Sequence, residues 1–203
     1  MEHQQIFTIG HSTLSVDAFL STLRANGVTA VADVRSAPYS RFNPSFNREP
    51  LKSELNAHGI HYVFLGKLLG GRPADRACYE NGRASYAKMA ETDEFKAGLH
   101  RVIEGSASYR IALMCSEGDP LNCHRTLLVS RALAKLGLAV VHIERNGQSQ
   151  SHVDLETRLI HVAGLSETLL RSHEEVLAEA YDLQAKRVAY TERSRVESDV
   201  EAV

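Results

Sequence analysis

The segment Cys115-Ser116-Glu117-Gly118-Asp119-Pro120-Leu121-Asn122-Cys123-His124-Arg125 holds two thiols, an imidazole, a guanidinium and carboxylates in one short stretch. A cysteine attacks as its thiolate, and a nearby cation or helix N-terminus lowers its pKa. Cys115 ends the apolar run Arg110–Cys115, where a buried strand should emerge into a loop. Asn122 suits the N-cap of the next helix, which would put Cys123, His124 and Arg125 in its first turn. Cationic groups are mildly unfavourable there, because the helix dipole already presents positive charge. Their presence points to a bound anion; a phosphate, carboxylate or thiolate would satisfy Arg125 and the free N–H groups together. Either Cys115 or Cys123 is the candidate nucleophile. Cys123 has the better helix-terminus environment and Cys115 the better loop position. Glu117, His11 and His124 are the candidates for moving protons.

Further polar clusters follow other strand-like runs. Gly10-His11-Ser12 follows Ile6–Ile9, and Asp33-Val34-Arg35 ends the run from Thr29. Ligands of open parallel sheets sit beyond the carboxyl ends of the strands, so this coincidence weighs more than any single motif. Ser12, Asp33, Arg35 and Arg125 are candidate ligand-binding residues, with Asp33 orienting His11 or Arg125. The competing structural reading makes Asp33 a loop cap and Ser12 part of a turn. Gly70-Gly71-Arg72 reads as an anion-binding loop or as an ordinary glycine pair. A metal alternative uses Cys115, Cys123, His124 and His11, whose sulfur and nitrogen donors suit zinc or iron. The Cys-x7-Cys-His spacing matches no standard zinc knuckle, and adjacent Cys and His rarely ligate one ion. A Cys115–Cys123 redox pair is a further option. Cys78 has no partner motif. The cofactor stays unknown at this level.

Positioning these groups requires alternating strands and helices. Ile6–Ile9 and Thr29–Val34 flank a helix capped by Ser15 and ended by Gly27. Their short connections favour a parallel pair with a right-handed crossover. Arg35–Asn47 reads as loop, Pro50–His58 as a short helix and His61–Leu65 as a strand. Gly66–Gly82 reads as a long loop, and Tyr86–Glu104 as a helix broken near Glu91-Thr92-Asp93. Arg110–Cys115 is the clearest buried strand, and Ala139–Ile143 reads as the last one. The fold expected is α/β, a three-layer sandwich with a mostly parallel sheet and a C-terminal helical extension. The divisions expected are an α/β domain over 1–146, a linker with C-terminal helices over 147–190, and a disordered tail over 191–203. Leu169, Leu170, His173, Val176, Leu177, Ala180 and Leu183 form a helical stripe. The 166–190 helix would pack on the parent domain or make a homodimer contact, and stripe geometry does not choose.

The bulk numbers bound the function. At 203 residues the chain suits one domain with extensions, and 43% hydrophobic residues can bury a sizeable core. A net charge of -2 gives no general attraction to nucleic acid or anionic membranes. Nucleic acid is not an expected partner, since no basic stripe interleaves with aromatics and there is no Trp. A small anionic molecule is. Three cysteines argue against a disulfide scaffold and fit a reducing, cytoplasmic setting. No apolar run approaches a membrane span.

Several short motifs agree in order with a known family. They are Thr8-Ile9-Gly10-His11-Ser12-Thr13, Asp33-Val34-Arg35 with Pro38 and Ser40, Asn43 with Phe46, Leu69-Gly70-Gly71-Arg72, and Met114-Cys115-Ser116-Glu117 ending in Cys123-His124-Arg125. Together they resemble the bacterial and archaeal family described as domain of unknown function 488. His142-Ile143, and His152 before Leu155-Glu156, fit it too. The resemblance spans about residues 5–160 and leaves out the helix from Ser166 onward. It implies a cytoplasmic α/β fold and no settled activity. A strand ending in Cys, a loop, an Arg-bearing helix and an earlier Asp-Val-Arg also look like rhodanese-type sulfurtransferases. The loop from Cys115 to Arg125 is longer than that family's cradle and carries Glu117 and Asp119, so only the analogy of shape carries over.

Overall fold

The computed structural model describes residues 5–192. Its frame is a six-stranded sheet in the order β3-β2-β6-β1-β7-β8. The strands are β1 (Gln5–Gly10), β2 (Ala30–Asp33), β3 (His61–Phe64), β6 (Ile111–Cys115), β7 (Ala139–Ile143) and β8 (Ser149–Ser151). The first five run parallel, and β8 pairs antiparallel to β7 at the edge. β2 and β6 are buried along their whole length, because helices cover both faces of the sheet.

The two-residue period of a strand divides the core. Phe7 and Ile9 of β1 face one layer, with Phe19, Leu20 and Leu23 of α1 (Val16–Ala25) and Leu51 and Leu55 of α2 (Arg48–Ala57). Ile6 faces the other. It shares that layer with Phe95, Leu99 and Val102 of α5 (Asp93–Ser106) and Leu155 and Leu159 of α7 (His152–Ala163). The result is the three-layer α/β fold with a C-terminal helical extension.

Local chemistry sets the boundaries. Ser15 caps α1 by accepting from Ala18 N at 3.2 Å, and Gly27 ends it at φ +64°. Thr92 accepts from Phe95 N at 3.2 Å and so starts α5, which is why the helix breaks after α4 (Tyr86–Glu91). The Gly66–Gly82 stretch is more ordered than a loop. It holds α3 (Gly66–Leu69) and leads into a hairpin of β4 (Tyr79–Glu80) and β5 (Arg83–Ala84). Asn81 and Gly82 turn that hairpin, both at positive φ, as its two-residue turn demands.

The C-terminal part departs furthest from expectation. Ser149–Ser151 is a sheet strand rather than a linker; its polar sequence suits an exposed edge. The last long helix, α8 (His173–Val188), starts only after Leu169 and Leu170, both exposed. Ser172 and Glu175 form a capping box at its start, and Lys186 and Arg187 complement its last turn. Its buried face, Val176, Ala180, Tyr181 and Gln184, packs within the chain. A buried polar chain underlies this docking. Thr8 Oγ1 lies 2.8 Å from His142 Nδ1, His142 Nε2 lies 2.9 Å from His152 Nδ1, and His152 Nε2 lies 3.1 Å from Tyr181 Oη. Tyr181 donates to Glu156 at 2.8 Å. Beyond α8, Ala84 N donates to Tyr190 O and Glu192 N to Gly82 O, so the chain adds itself to the hairpin. The rest of the expected disordered tail, 193–203, lies outside the described residues.

Candidate functional site

Because β1, β2 and β6 are parallel neighbours, their carboxyl ends deliver His11, Asp33-Val34-Arg35 and Cys115-Ser116-Glu117 side by side. The ladder continues past the strands: His11 N donates to Cys115 O at 3.0 Å and Ser12 N to Ser116 O at 2.9 Å. Gly10 is required here, since a Cβ would collide with the carbonyl of Glu117. Ser12 sits at φ 44° in the turn, so its backbone shapes the loop.

The helix carrying Arg125 begins differently from the sequence reading. Asp119 accepts from Leu121 N at 2.9 Å and, with Pro120, closes a separate turn over Pro120–Asn122. Asn122 therefore does not cap; its Oδ1 accepts from Gln184 of α8 at 3.2 Å. Cys123 takes the cap position. It is extended (φ -140°, ψ 139°), its carbonyl accepts from Thr126 and Leu127, and its Sγ accepts from Arg125 N at 3.4 Å. A π-helical stretch, Arg125–Ser130, follows and runs into α6 (Arg131–Lys135). Such widened turns often re-aim side chains at functional sites.

Four reactive groups converge at this helix start. Cys123 Sγ and Glu117 Oε2 are in hydrogen-bond contact at 3.0 Å. His124 Nδ1 lies 3.8 Å from both Cys115 Sγ and Cys123 Sγ. His124 Nε2 donates to Val34 O at 3.0 Å, which leaves Nδ1 as the lone-pair nitrogen facing the sulfurs. Gly71 lies against the ring, where an added Cβ would come within 2.8 Å of Cγ.

Burial by itself would raise the Cys123 thiol, but the hydrogen bond from Cys115 and the charges of Arg125 and His124 outweigh it and hold it below the ordinary thiol range. Cys115 moves the other way, pushed up by that same hydrogen bond and by burial. Burial and the Cys123 charge raise Glu117. Burial would lower His124, yet the Cys123 thiolate and Glu117 raise it. Cys123 is thus the more acidic of the two thiols.

Other candidates occupy different places. Arg125 is fully buried beneath the cluster, with Nη1 donating to Glu117 O at 2.6 Å and Nη2 to Gly118 O at 3.2 Å. It therefore binds the loop backbone where the sequence suggested an anion. Asp33 pairs with Arg35 at 2.6 Å and accepts from Tyr62 at 2.7 Å, so it orients Arg35 and neither His11 nor Arg125. His11 stacks on Phe46 with centroids 4.3 Å apart, donates from Nδ1 to Ser12 O at 3.2 Å, and lies 3.3 Å from Arg35 Nη1 through Nε2. Burial and the Arg35 charge lower its pKa to about 4, so it is neutral at pH 7. It stands outside the Cys115–Cys123–His124 group, and its Nε2 faces the Arg35 guanidinium.

The cluster floors a cleft of about 210 Å³. Arg35, Ser36, Gly71, Arg72 and Tyr86 line it, and Val188 at the end of α8 and Tyr190 just past it close it. Arg72 lies over the Tyr190 ring at 4.7 Å. Gly70 is not part of the lining; it packs against Ser36, whose Oγ accepts from Arg72 N at 3.0 Å. Ser36, Tyr86 and Tyr190 escaped the sequence reading. Ser36 adjoins Asp33-Val34-Arg35 and was within reach; the other two had no local signal.

The model of the family described as Domain of unknown function DUF488 matches residues 15–132. The chain belongs to this family. Comparisons with curated proteins and with solved structures return no match. The DUF488 match takes in Arg35, Arg72 and the whole Cys115–Arg125 segment. It leaves out β1 with His11, and also α8 with the cleft-closing Val188 and Tyr190. Among the described residues of this DUF488 protein, no helix is long and apolar enough to cross a membrane.

Proposed function

We propose that the cleft is the active site of a small enzyme acting on an anionic or nucleotide-like molecule, as a thiol- or acid/base-dependent transferase or hydrolase. One observation carries the reading. Cys115, Glu117, Cys123 and His124 form the floor of the same cleft whose wall holds Arg35 and Arg72, at the carboxyl edge of a parallel sheet. Among the described residues Arg72 has no carboxylate partner, and it reaches the cleft beside Tyr190. Among the described residues Arg35 meets only Asp33 and His11, which leaves part of its N–H fork available. Glu117, raised by burial and the Cys123 charge, faces both thiols and is placed to exchange a proton with them. A reducing, cytoplasmic setting belongs to this reading, since thiol chemistry needs reduced cysteines.

Thermal unfolding with inorganic phosphate and nucleoside monophosphates tests it. A ligand at about 100 times its Kd stabilises a protein by about 2.7 kcal/mol. In a chain of this size that raises Tm by several degrees. Such a shift in wild type, lost in Arg72→Ala, is expected. No shift with any of these anions would remove the anionic-substrate reading.

A further inference from the structure

We propose that Cys115 Sγ, Cys123 Sγ and His124 Nδ1 are three ligands of one divalent transition metal ion, zinc by the chemistry of the donor set, with the remaining coordination position open to the cleft. This deepens the active-site reading and rests on it only for the role of that open position. The three donor atoms lie within 4.8 Å of one another. Tetrahedral zinc with bonds of about 2.3 Å to sulfur and 2.0–2.1 Å to nitrogen places those donors about 3.6 Å apart. Both sulfur-to-nitrogen distances are 3.8 Å, so small side-chain adjustments suffice.

Adjacent cysteine and histidine side chains ordinarily diverge. Here they do not, because the backbone changes conformation between them. Cys123 is extended, whereas His124 is helical (φ -59°, ψ -27°). That change at the helix start turns both donors toward Cys115. The imidazole is also fixed as a metal-binding imidazole usually is: its far nitrogen donates to a backbone carbonyl, Val34 O, at 3.0 Å. Arg125 N–H on Cys123 Sγ supports a thiolate.

Charge argues in the same direction. Metal ligation needs both cysteines as thiolates, and with Glu117 beside them these would form a buried anionic cluster above the Arg125 guanidinium. Uncompensated buried charge is costly, and a dication removes the excess. All three ligands and Glu117 line the cleft, which is the arrangement of a catalytic site with an open position rather than of a closed structural one.

The experiment uses the full chain, purified without a polyhistidine tag or chelator. Metal content is measured directly. The reduced, metal-stripped protein is then titrated with cobalt(II) and with zinc in competition with a chromophoric chelator. About one equivalent of zinc is expected, together with a thiolate-to-cobalt charge-transfer band. Cys115→Ser and Cys123→Ser should each weaken zinc binding about tenfold or more, while Cys78→Ser leaves it unchanged. A stripped wild type that takes up neither metal overturns the proposal, as does binding equally tight in Cys115→Ser and Cys123→Ser. The cobalt spectrum of wild type decides the matter even where a variant fails to fold. Phosphate-dependent unfolding of the stripped protein runs alongside. Anion stabilisation without metal uptake defeats the metal inference and leaves the active-site reading standing; metal uptake without anion stabilisation does the reverse.

Discussion

Acid should weaken this fold through His11 in a window that a single substitution can isolate. His11 is enclosed by Phe46, Ser12 and Arg35, and its pKa falls from 6.5 to about 4 on folding, through burial first and the Arg35 charge second. Between those values the unfolded chain binds a proton that the folded chain refuses. Stability linked to this group is therefore complete above pH 6.5, declines as pH falls through that value, and stops declining near pH 4. A shift of that size corresponds to roughly 3 kcal/mol over the whole window, with a slope approaching 1.4 kcal/mol per pH unit in its middle. His11→Gln keeps a polar side chain without a titrating ring. It should be less stable than wild type at pH 7.5, having lost the Phe46 stack, but its stability should fall less steeply on acidification. Urea unfolding at half-unit steps from pH 7.5 to 4.5 reads the two slopes. Parallel slopes for the two proteins would refute the reasoning, because the other histidines and carboxylates are common to both.

Two further outcomes follow from the same structure. Tyr181→Phe removes the hydroxyl between His152 and Glu156 and leaves a buried imidazole nitrogen without its partner; a loss of about 1–3 kcal/mol is expected in chemical denaturation, and an unchanged midpoint would count against the buried chain. In reduced, metal-stripped protein at neutral pH, iodoacetamide should modify Cys123 before Cys78. Cys123 lines the cleft with a depressed pKa, whereas Cys78 is packed in the core with its pKa raised by burial. Mass spectrometry of timed digests reads the order, and equal rates would contradict it.

Much of the sheet was legible because a strand covered on both faces must be apolar along its length, as Ala30–Asp33 nearly is and Ile111–Cys115 is. Ser15 and Gly27 marked α1 by chemistry that acts over a few residues. Where two local signals competed, sequence could not choose. Asp119-Pro120 and Asn122 both suit a helix start; the first took a short turn of its own, and the helix then began just after Cys123. Ser149–Ser151 carries no apolar alternation, since an exposed edge strand needs none. Leu169 and Leu170 continued the stripe in spacing but stand in solvent before α8 begins. In the site, the Cys115–Arg125 segment was conspicuous from its composition. The depth of Arg125 below it, and the arrival of Val188 and Tyr190 from the far end of the chain, depend on tertiary packing that no local pattern encodes.

The place of β1 bears on how the chain reaches this state. It is the first strand in sequence, yet its neighbours in the sheet are β6 and β7, which begin at Ile111 and Ala139. During synthesis it leaves the ribosome long before either partner exists. Two open edges of Ile6-Phe7-Thr8-Ile9 must wait through most of translation, a recipe for slow closure and for pairing with the wrong strand. Residues 15–132 alone would lack β1 between β6 and β7 and would lack β7 itself. The smallest piece that can assemble this sheet therefore extends past both ends of the family match. Cutting the gene at those ends should yield an aggregating fragment rather than a miniature of the protein.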